Sequence, residues 1–222
     1  SKPRKNTVKG YAEKYGVDLL TMVAFLDGIN DSLKEPNPLE TMEEDTEVNL
    51  NYDKELLRER ERANELSYQF NQVRPGDTSL RTGLLRELLG HLGEHVEVLP
   101  PLYVDYGRNV SIGDWSFLNH GAYLMDGAPI TIGSHVFVGP NLGAYTAQHP
   151  LVADERNLGL ERALPITIED DVWIGGDVKI MPGVTIGRGS VIGAGSVVTH
   201  DIPDDSVAAG NPARVIRTAT DE

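Results

Sequence analysis

The chain has 222 residues, no cysteine and a formal net charge of −14, with 34 acidic residues against 20 basic ones. That length is enough for one sizeable core and an appendage, and the charge argues against nucleic acid or an anionic membrane as the main partner. The missing thiols exclude disulfides, thiolate nucleophiles and cysteine-ligated metals. No run of 18 apolar residues occurs and the N-terminus lacks a signal-type apolar region, so the sequence predicts a soluble, cytoplasmic protein.

Charge is spread unevenly. Residues 1–54 carry six of the seven lysines, whereas residues 55–222 carry only Lys179 but twelve arginines beside 23 acids. Arginine in place of lysine with excess carboxylate suggests a salt-adapted or GC-rich origin for the larger part, the alternative being ordinary compositional scatter.

Residues 1–50 read as a helical segment of unassigned role, either an appended domain or a foreign piece. Val8, Tyr11, Ala12 and Tyr15 keep helical spacing, Gly16 interrupts, and Leu19, Leu20, Val23, Ala24 and Leu26 begin a second run. Pro36, Pro38 and the acids Glu43, Glu44, Asp45 and Glu47 then read as a linker. Residues 51–95 form a second helical region. The spacing predicts a charged helix over 53–71, with Leu56, Leu57, Ala63, Leu66 and Phe70 on one face, and another over 78–92 that stops near Gly90 or Gly93.

From residue 96 to 222 the pattern changes to a repeat. Ile166, Val172, Val178, Val184, Ser190, Ser196 and Ile202 recur every six residues, and a branched apolar residue follows two places after each of the first six. Neither helical periodicity nor simple alternation gives this. It is a strand of two or three residues followed by a tight corner, and three such sides close one triangular coil. Upstream, Val104, Val110, Ser116 and Ala122 keep the period. An excursion at 126–129 precedes Ile130, Val136 and Leu142, and Leu142 to Ile166 spans 24 residues, one hexad plus 18. The surplus extrudes a loop at about 146–163, and a long loop on a rigid prism points to function. Gly210 and Pro212 end the repeat, with Arg214 and Arg217 beyond.

His149 sits at the base of that loop, before Pro150. By position alone it is more often a surface histidine than a general base, and for Asn119 the sequence alone favours a β-helix corner. The strings TAQHP, RNLGLERALPITIEDDVWIGG and FNQVRPGDTSLRTGLLRELLGHLGEHVEVLPPLYVDYGRNVSIGD together resemble the maltose and galactoside O-acetyltransferases, hexapeptide-repeat acyltransferases, over roughly residues 52–218. The resemblance implies a left-handed parallel β-helix, against the usual crossover hand. It also implies acetyl transfer from acetyl-CoA to a sugar hydroxyl, no required metal, and a homotrimer with active sites between subunits.

By the same resemblance His149 is the general base, attacking without an acyl-enzyme, and Asn119 donates to the oxyanion. Asp105, Asp126, Arg60 and Asn51 contact the acceptor. Trp173, Gly176, Ala194, Thr199, His200, Arg214 and Arg217 line the coenzyme A groove, where arginines suit phosphates. The chain departs from the family's pattern at Asn51, near the place of a usual acid, at Phe117, which can be Tyr, and at His200, commonly Lys. The last predicts weaker or more pH-dependent phosphate binding. The rival readings are the same fold acting on an antibiotic, an amino sugar or an amino acid, a zinc enzyme using His120, His135 and His149, and a non-catalytic scaffold. The zinc reading lacks the short paired histidine spacing.

Overall fold

The structure is a computed structural model that describes residues 54–219. The segments expected at 1–50, and Asn51, lie outside the described residues. Helix α1 (Lys54–Gln72) buries Leu56, Ala63, Leu66 and Phe70, while Leu57 stands 38% exposed rather than on the packed face. Asn71 docks the helix by donating to the Leu102 carbonyl at 3.0 Å and accepting from its N–H at 2.8 Å. Helix α2 (Thr78–Leu88) starts with the Asp77 carboxylate accepting from the Leu80 N–H at 3.1 Å. It ends earlier than the spacing suggested. Leu89 is already extended, and the Gly90 N–H bonds the Gly107 carbonyl at 3.2 Å, because His91–Leu92 is captured as the first strand of the prism.

The rest is a parallel β-helix of three faces. The first face stacks His91–Leu92, Val110–Ile112, Ile130–Ile132, Ile166–Ile168 and Thr185–Ile186. The second stacks Glu97–Val98, Phe117–Leu118, Phe137–Val138, Trp173–Ile174, Val191–Ile192 and Ser206–Gly210. The third stacks Leu102–Val104, Ala122–Met125, Gly143–Tyr145, Lys179–Ile180 and Val197–Val198. The hexad-leading residues point inward as the period requires: Val110, Ser116, Ala122, Ile130, Val136, Leu142, Ile166, Val172, Val178, Val184, Ser190 and Ser196 are all 2% exposed or less. The companions two places on, from Ile168 through Val198, are buried with them.

Three inward serines tie neighbouring coils, Ser196 through its acceptor bond alone. Ser116 Oγ donates to the Gly133 carbonyl and accepts from the Val136 N–H; Ser190 Oγ donates to Pro203 and accepts from Ser206; Ser196 Oγ donates to Gly193 and accepts from Gly210. Corners take left-handed backbone, at Asn141 and Asp177 (φ 62° and 59°) on one edge and at Asp171 (φ 62°) on another. Short polar side chains and glycine tolerate that region best. The chain does not stop at Gly210. Ala213–Thr218 returns antiparallel to Ser206–Gly210 and closes that end of the second face.

Two departures from the coil meet at the edge joining the third face to the first. Thr146, fully buried, fixes both: its Oγ1 donates to the Met125 carbonyl at 2.6 Å and accepts from the Ala128 N–H at 3.1 Å. The extruded loop leaves there on a two-stranded antiparallel stem, Ala147–Gln148 against Arg162–Ala163. It carries the short helix α3 (Ala153–Arg156) at its tip.

Candidate active site

The stem pairs Ala147 with Ala163 and Gln148 with Arg162, so the next position brings His149 across from Glu161. Their side chains meet there, with His149 Nε2 3.6 Å from Glu161 Oε2. The other ring nitrogen, Nδ1, lies 3.1 Å from the Leu160 carbonyl. A carbonyl only accepts, so this bond puts the ring proton on Nδ1 and leaves the Nε2 lone pair facing Glu161. Beyond the histidine, Arg156 donates to the carbonyls of Pro150 and Leu151, both at 3.1 Å, which ties the loop back on itself.

His149 and Glu161 form one wall of a cavity of about 690 Å³ at the end of the third face. Val104, Asp105, Tyr123, Met125 and Tyr145 supply its floor, Met181 and Pro182 one rim, and Arg60 and Asn64 of α1 the other. Asp105 accepts from the Tyr123 hydroxyl at 2.9 Å. Burial raises the Asp105 pKa above the ordinary carboxylate value, while Tyr123 and the Arg60 charge pull it back. Burial, reinforced by Asp105, pushes the Tyr123 phenol up to about 12. Burial also raises the Glu161 pKa, with His149 opposing and Asp105 adding to it. Arg60 donates to the Tyr106 hydroxyl at 3.0 Å, and its buried Nε has no partner among the described residues.

The residues singled out from the sequence do not all meet here. His149, Asp105 and Arg60 line the cavity. Thr199 and His200 lie along the same edge as His149, two coils further on, with Thr199 Oγ1 2.9 Å from His200 Nδ1. Asp126 does not line it. Its side chain is fully buried beneath, where Oδ1 accepts from the N–H groups of Asp105 and Tyr106 at 2.9 and 2.8 Å, and Oδ2 from that of Asn109 at 3.3 Å. Burial raises its pKa to about 6. Asp126 therefore shapes the turn that presents Asp105, in place of the expected acceptor contact.

A second group sits on another edge. Asn119, Gly176 and Ala194 occupy corners between the second and third faces, with the Asn141 corner lying between those of Asn119 and Gly176, and Trp173, 58% exposed, lies on the second face beside them. Asn119 Oδ1 accepts from the His120 N–H at 2.8 Å, which leaves the donor Nδ2 uncommitted by that bond. Arg214 and Arg217 are on the returning strand Ala213–Thr218. The whole third face separates this group from His149.

Spacing alone missed Glu161, Tyr123 and Tyr145. The stem register would have found the first: the excursion is rooted symmetrically, so each residue leaving the coil faces one returning to it. Among the described residues no three His, Cys, Asp or Glu side chains gather as metal ligands, and no helix is long and apolar enough to cross a membrane.

Two family descriptions match the chain. Residues 165–200 match the bacterial transferase hexapeptide (six repeats), and residues 49–93 match the maltose acetyltransferase hexapeptide capping motif. A protein of Staphylococcus haemolyticus, named as a candidate acetyltransferase, is 55% identical over 167 residues, 75% of this chain and 87% of its own. The chain belongs to the hexapeptide-repeat acetyltransferases. The maltose O-acetyltransferase from Clostridium difficile is 44% identical with a TM-score of 0.74, over 75% of this chain and 89% of its own. A galactoside acetyltransferase solved with coenzyme A is 41% identical with a TM-score of 0.75, over 77% and 86%.

Proposed function

We propose that this acetyltransferase moves an acetyl group from acetyl-CoA to a hydroxyl of a sugar of the maltose, glucose or galactoside type. The observation that carries the reading is the ring of His149. Its Nδ1 is committed to the Leu160 carbonyl, and its Nε2 stands at the cavity wall beside Glu161. An alcohol is a poor nucleophile until a positioned base takes its proton during attack. Nε2 is that base. As the acceptor oxygen bonds the acetyl carbon, its proton passes to Nε2, the carbonyl oxygen becomes an oxyanion, and collapse expels the thiolate of coenzyme A, which takes the proton back from the imidazolium. Glu161 opposes the positive charge that His149 carries between those two transfers.

The acceptor lies in the cavity against Asp105 and Arg60, where a carboxylate and a guanidinium suit hydroxyl groups of either hydrogen-bonding sense. A mixed polar floor with tyrosines and methionines is the usual make-up of a small-molecule site. Coenzyme A runs along the edge of Gly176 and Ala194, whose lack of side-chain bulk admits the extended arm, toward Arg214 and Arg217 for its phosphates. Trp173 flanks that path. Thr199 and His200 contribute from the other edge.

Because Asn119 and the coenzyme groove lie one face away from His149, each complete site needs two chains. The edge carrying Asn119, Gly176 and Ala194 comes from one subunit and the His149 cavity from its neighbour. A closed ring of three meets this need with one repeated heterologous contact, and makes the protein a homotrimer. The exposed Phe137 and Trp173 of the second face would be covered in it. The compartment proposed is the cytoplasm, where acetyl-CoA is at hand.

The test is acetyl-CoA-dependent thiol release with maltose, glucose and galactosides, for the wild type and His149→Ala. Acceptor-dependent release that falls by about 10²- to 10⁴-fold in the variant is the expected result. Release untouched by the substitution removes His149 from the reaction. No release with any sugar, beside measurable coenzyme A binding, moves the acceptor to an amine or another hydroxyl compound.

A further inference from the structure

Tyr123 stands on the strand Ala122–Met125, second from one end of the third face, with Tyr103 and Tyr145 on either side at ring-centre distances of 6.3 and 6.4 Å. The register leaves a gap for this row: Tyr123 pairs with Gly143, and a side chain built there would collide with the Tyr145 hydroxyl. Tyr145 thus lies back over Gly143 and against Tyr123, and the ring of Tyr123 is held between aromatic neighbours. Its hydroxyl reaches the edge of the face and donates to Asp105 Oδ1 at 2.9 Å. Both residues line the cavity.

We propose that Tyr123 is a positioning residue for acceptor recognition: by engaging one oxygen of Asp105 it fixes the carboxylate plane and leaves the other oxygen to receive one hydroxyl of the sugar. The inference rests on the sugar reading given above. A free carboxylate rotates and offers two oxygens to any donor. One held from beneath by the turn that Asp126 organises, and from the side by a phenol, offers one oxygen in one direction. Such restriction selects which hydroxyl of a polyol is turned toward His149, since positioning within a fraction of an ångström governs transfer.

The charged and titratable groups around Asp105 decide what removing the phenol does. Arg60 faces it from α1, Glu161 from the extruded loop, and Asp126 and Tyr106 from the turn beneath. Tyr123 is protonated throughout the working range and favours the ionised Asp105. Tyr123→Phe keeps the ring and its packing but removes that donor, so Asp105 takes up its proton at higher pH.

The experiment compares steady-state acetylation by the wild type, Tyr123→Phe, Asp105→Asn and the double variant across pH 5 to 8. Loss of one hydrogen bond to a charged group predicts a rise in acceptor KM of about 10-fold or more for Tyr123→Phe. The acetyl-CoA KM stays unchanged, the acid limb of acceptor kcat/KM moves to higher pH, and the spread of acetylated positions on the sugar widens. The double variant is no worse than Asp105→Asn alone, because Tyr123 acts through Asp105. Additive losses in the double variant, or an acid limb that stays in place, overturn the proposal. Carbon-13 titration of Asp105 in the two proteins gives a readout free of turnover, and equal midpoints also overturn it. A wild type that acetylates no sugar overturns the sugar reading itself, and this role falls with it.

Discussion

Glu161 Oε2 faces His149 Nε2 at 3.6 Å across the stem of the extruded loop, while Nδ1 of the same ring is bound to a backbone carbonyl. In the proposed reaction the two contacts act at different moments. The carbonyl holds the tautomer in the resting enzyme, and the carboxylate matters once Nε2 has taken a proton. Glu161→Gln keeps the shape and removes the charge. It should lower kcat by about 10-fold or more with little change in the acetyl-CoA KM, because stabilisation is lost only where charge develops. Stopped-flow single turnover separates that loss from product release; an unchanged chemical step would show that the carboxylate serves only the loop.

The same carboxylate sets an acid limit. Burial raises the Glu161 pKa, and in the proposed reaction the charged form is the one that assists His149. Activity should therefore fall as pH drops through a midpoint above the ordinary range of an exposed carboxylate, and that limb should change in Glu161→Gln. A kcat profile measured at saturating acceptor isolates it from the Asp105 effect on binding.

Asp126 gives a prediction for stability with a definite sign. Its folded pKa of about 6 lies above the 3.8 of an exposed aspartate. Between those values the native chain holds a proton that the unfolded chain has released, so this residue's contribution falls as pH rises through the window and returns on acidification. Two units correspond to roughly 3 kcal/mol at most. Urea midpoints of Asp126→Asn should show a smaller change than the wild type between pH 4 and pH 7, and parallel curves would contradict it.

A site shared between chains predicts complementation. His149→Ala and Asn119→Ala should each be nearly inactive, since a base and an oxyanion donor are each worth about 10²-fold or more. Co-expressed in equal amounts, they should regain activity at about a quarter of the sites, those that draw His149 and Asn119 from different variants. Mixed protein as inactive as its parents, with size confirmed by light scattering, would place both residues in one chain's site.

The prism was legible because its period is strict. Val110 through Ser196 could be placed inward residue by residue, and the surplus of 18 between Leu142 and Ile166 marked the loop. What the period does not encode is the direction of a side chain just past a strand. Asp105 and Asp126 both follow third-face strands, yet one lines the cavity and the other turns under it to take three backbone amides. Helix α2 was read too long because its apolar spacing runs on to Leu92, where pairing with Val110–Ile112 outweighs helical propensity. The pairing of His149 with Glu161, and the position of Asn119 on a different edge, are matters of topology that local pattern does not carry.

The interior serines have a further consequence. Coils made of nearly interchangeable isoleucines and valines could be threaded one turn out of step with little loss of apolar contact. The hydroxyls of Ser116 and Ser190 each need a carbonyl and an amide of the next coil, and misthreading would strand them at about 1–3 kcal/mol apiece. Ser196 keeps the Gly193 carbonyl of its own coil and loses only the Gly210 amide. In a column of look-alike rungs these hydroxyls act as serial numbers, so that each rung finds its own place.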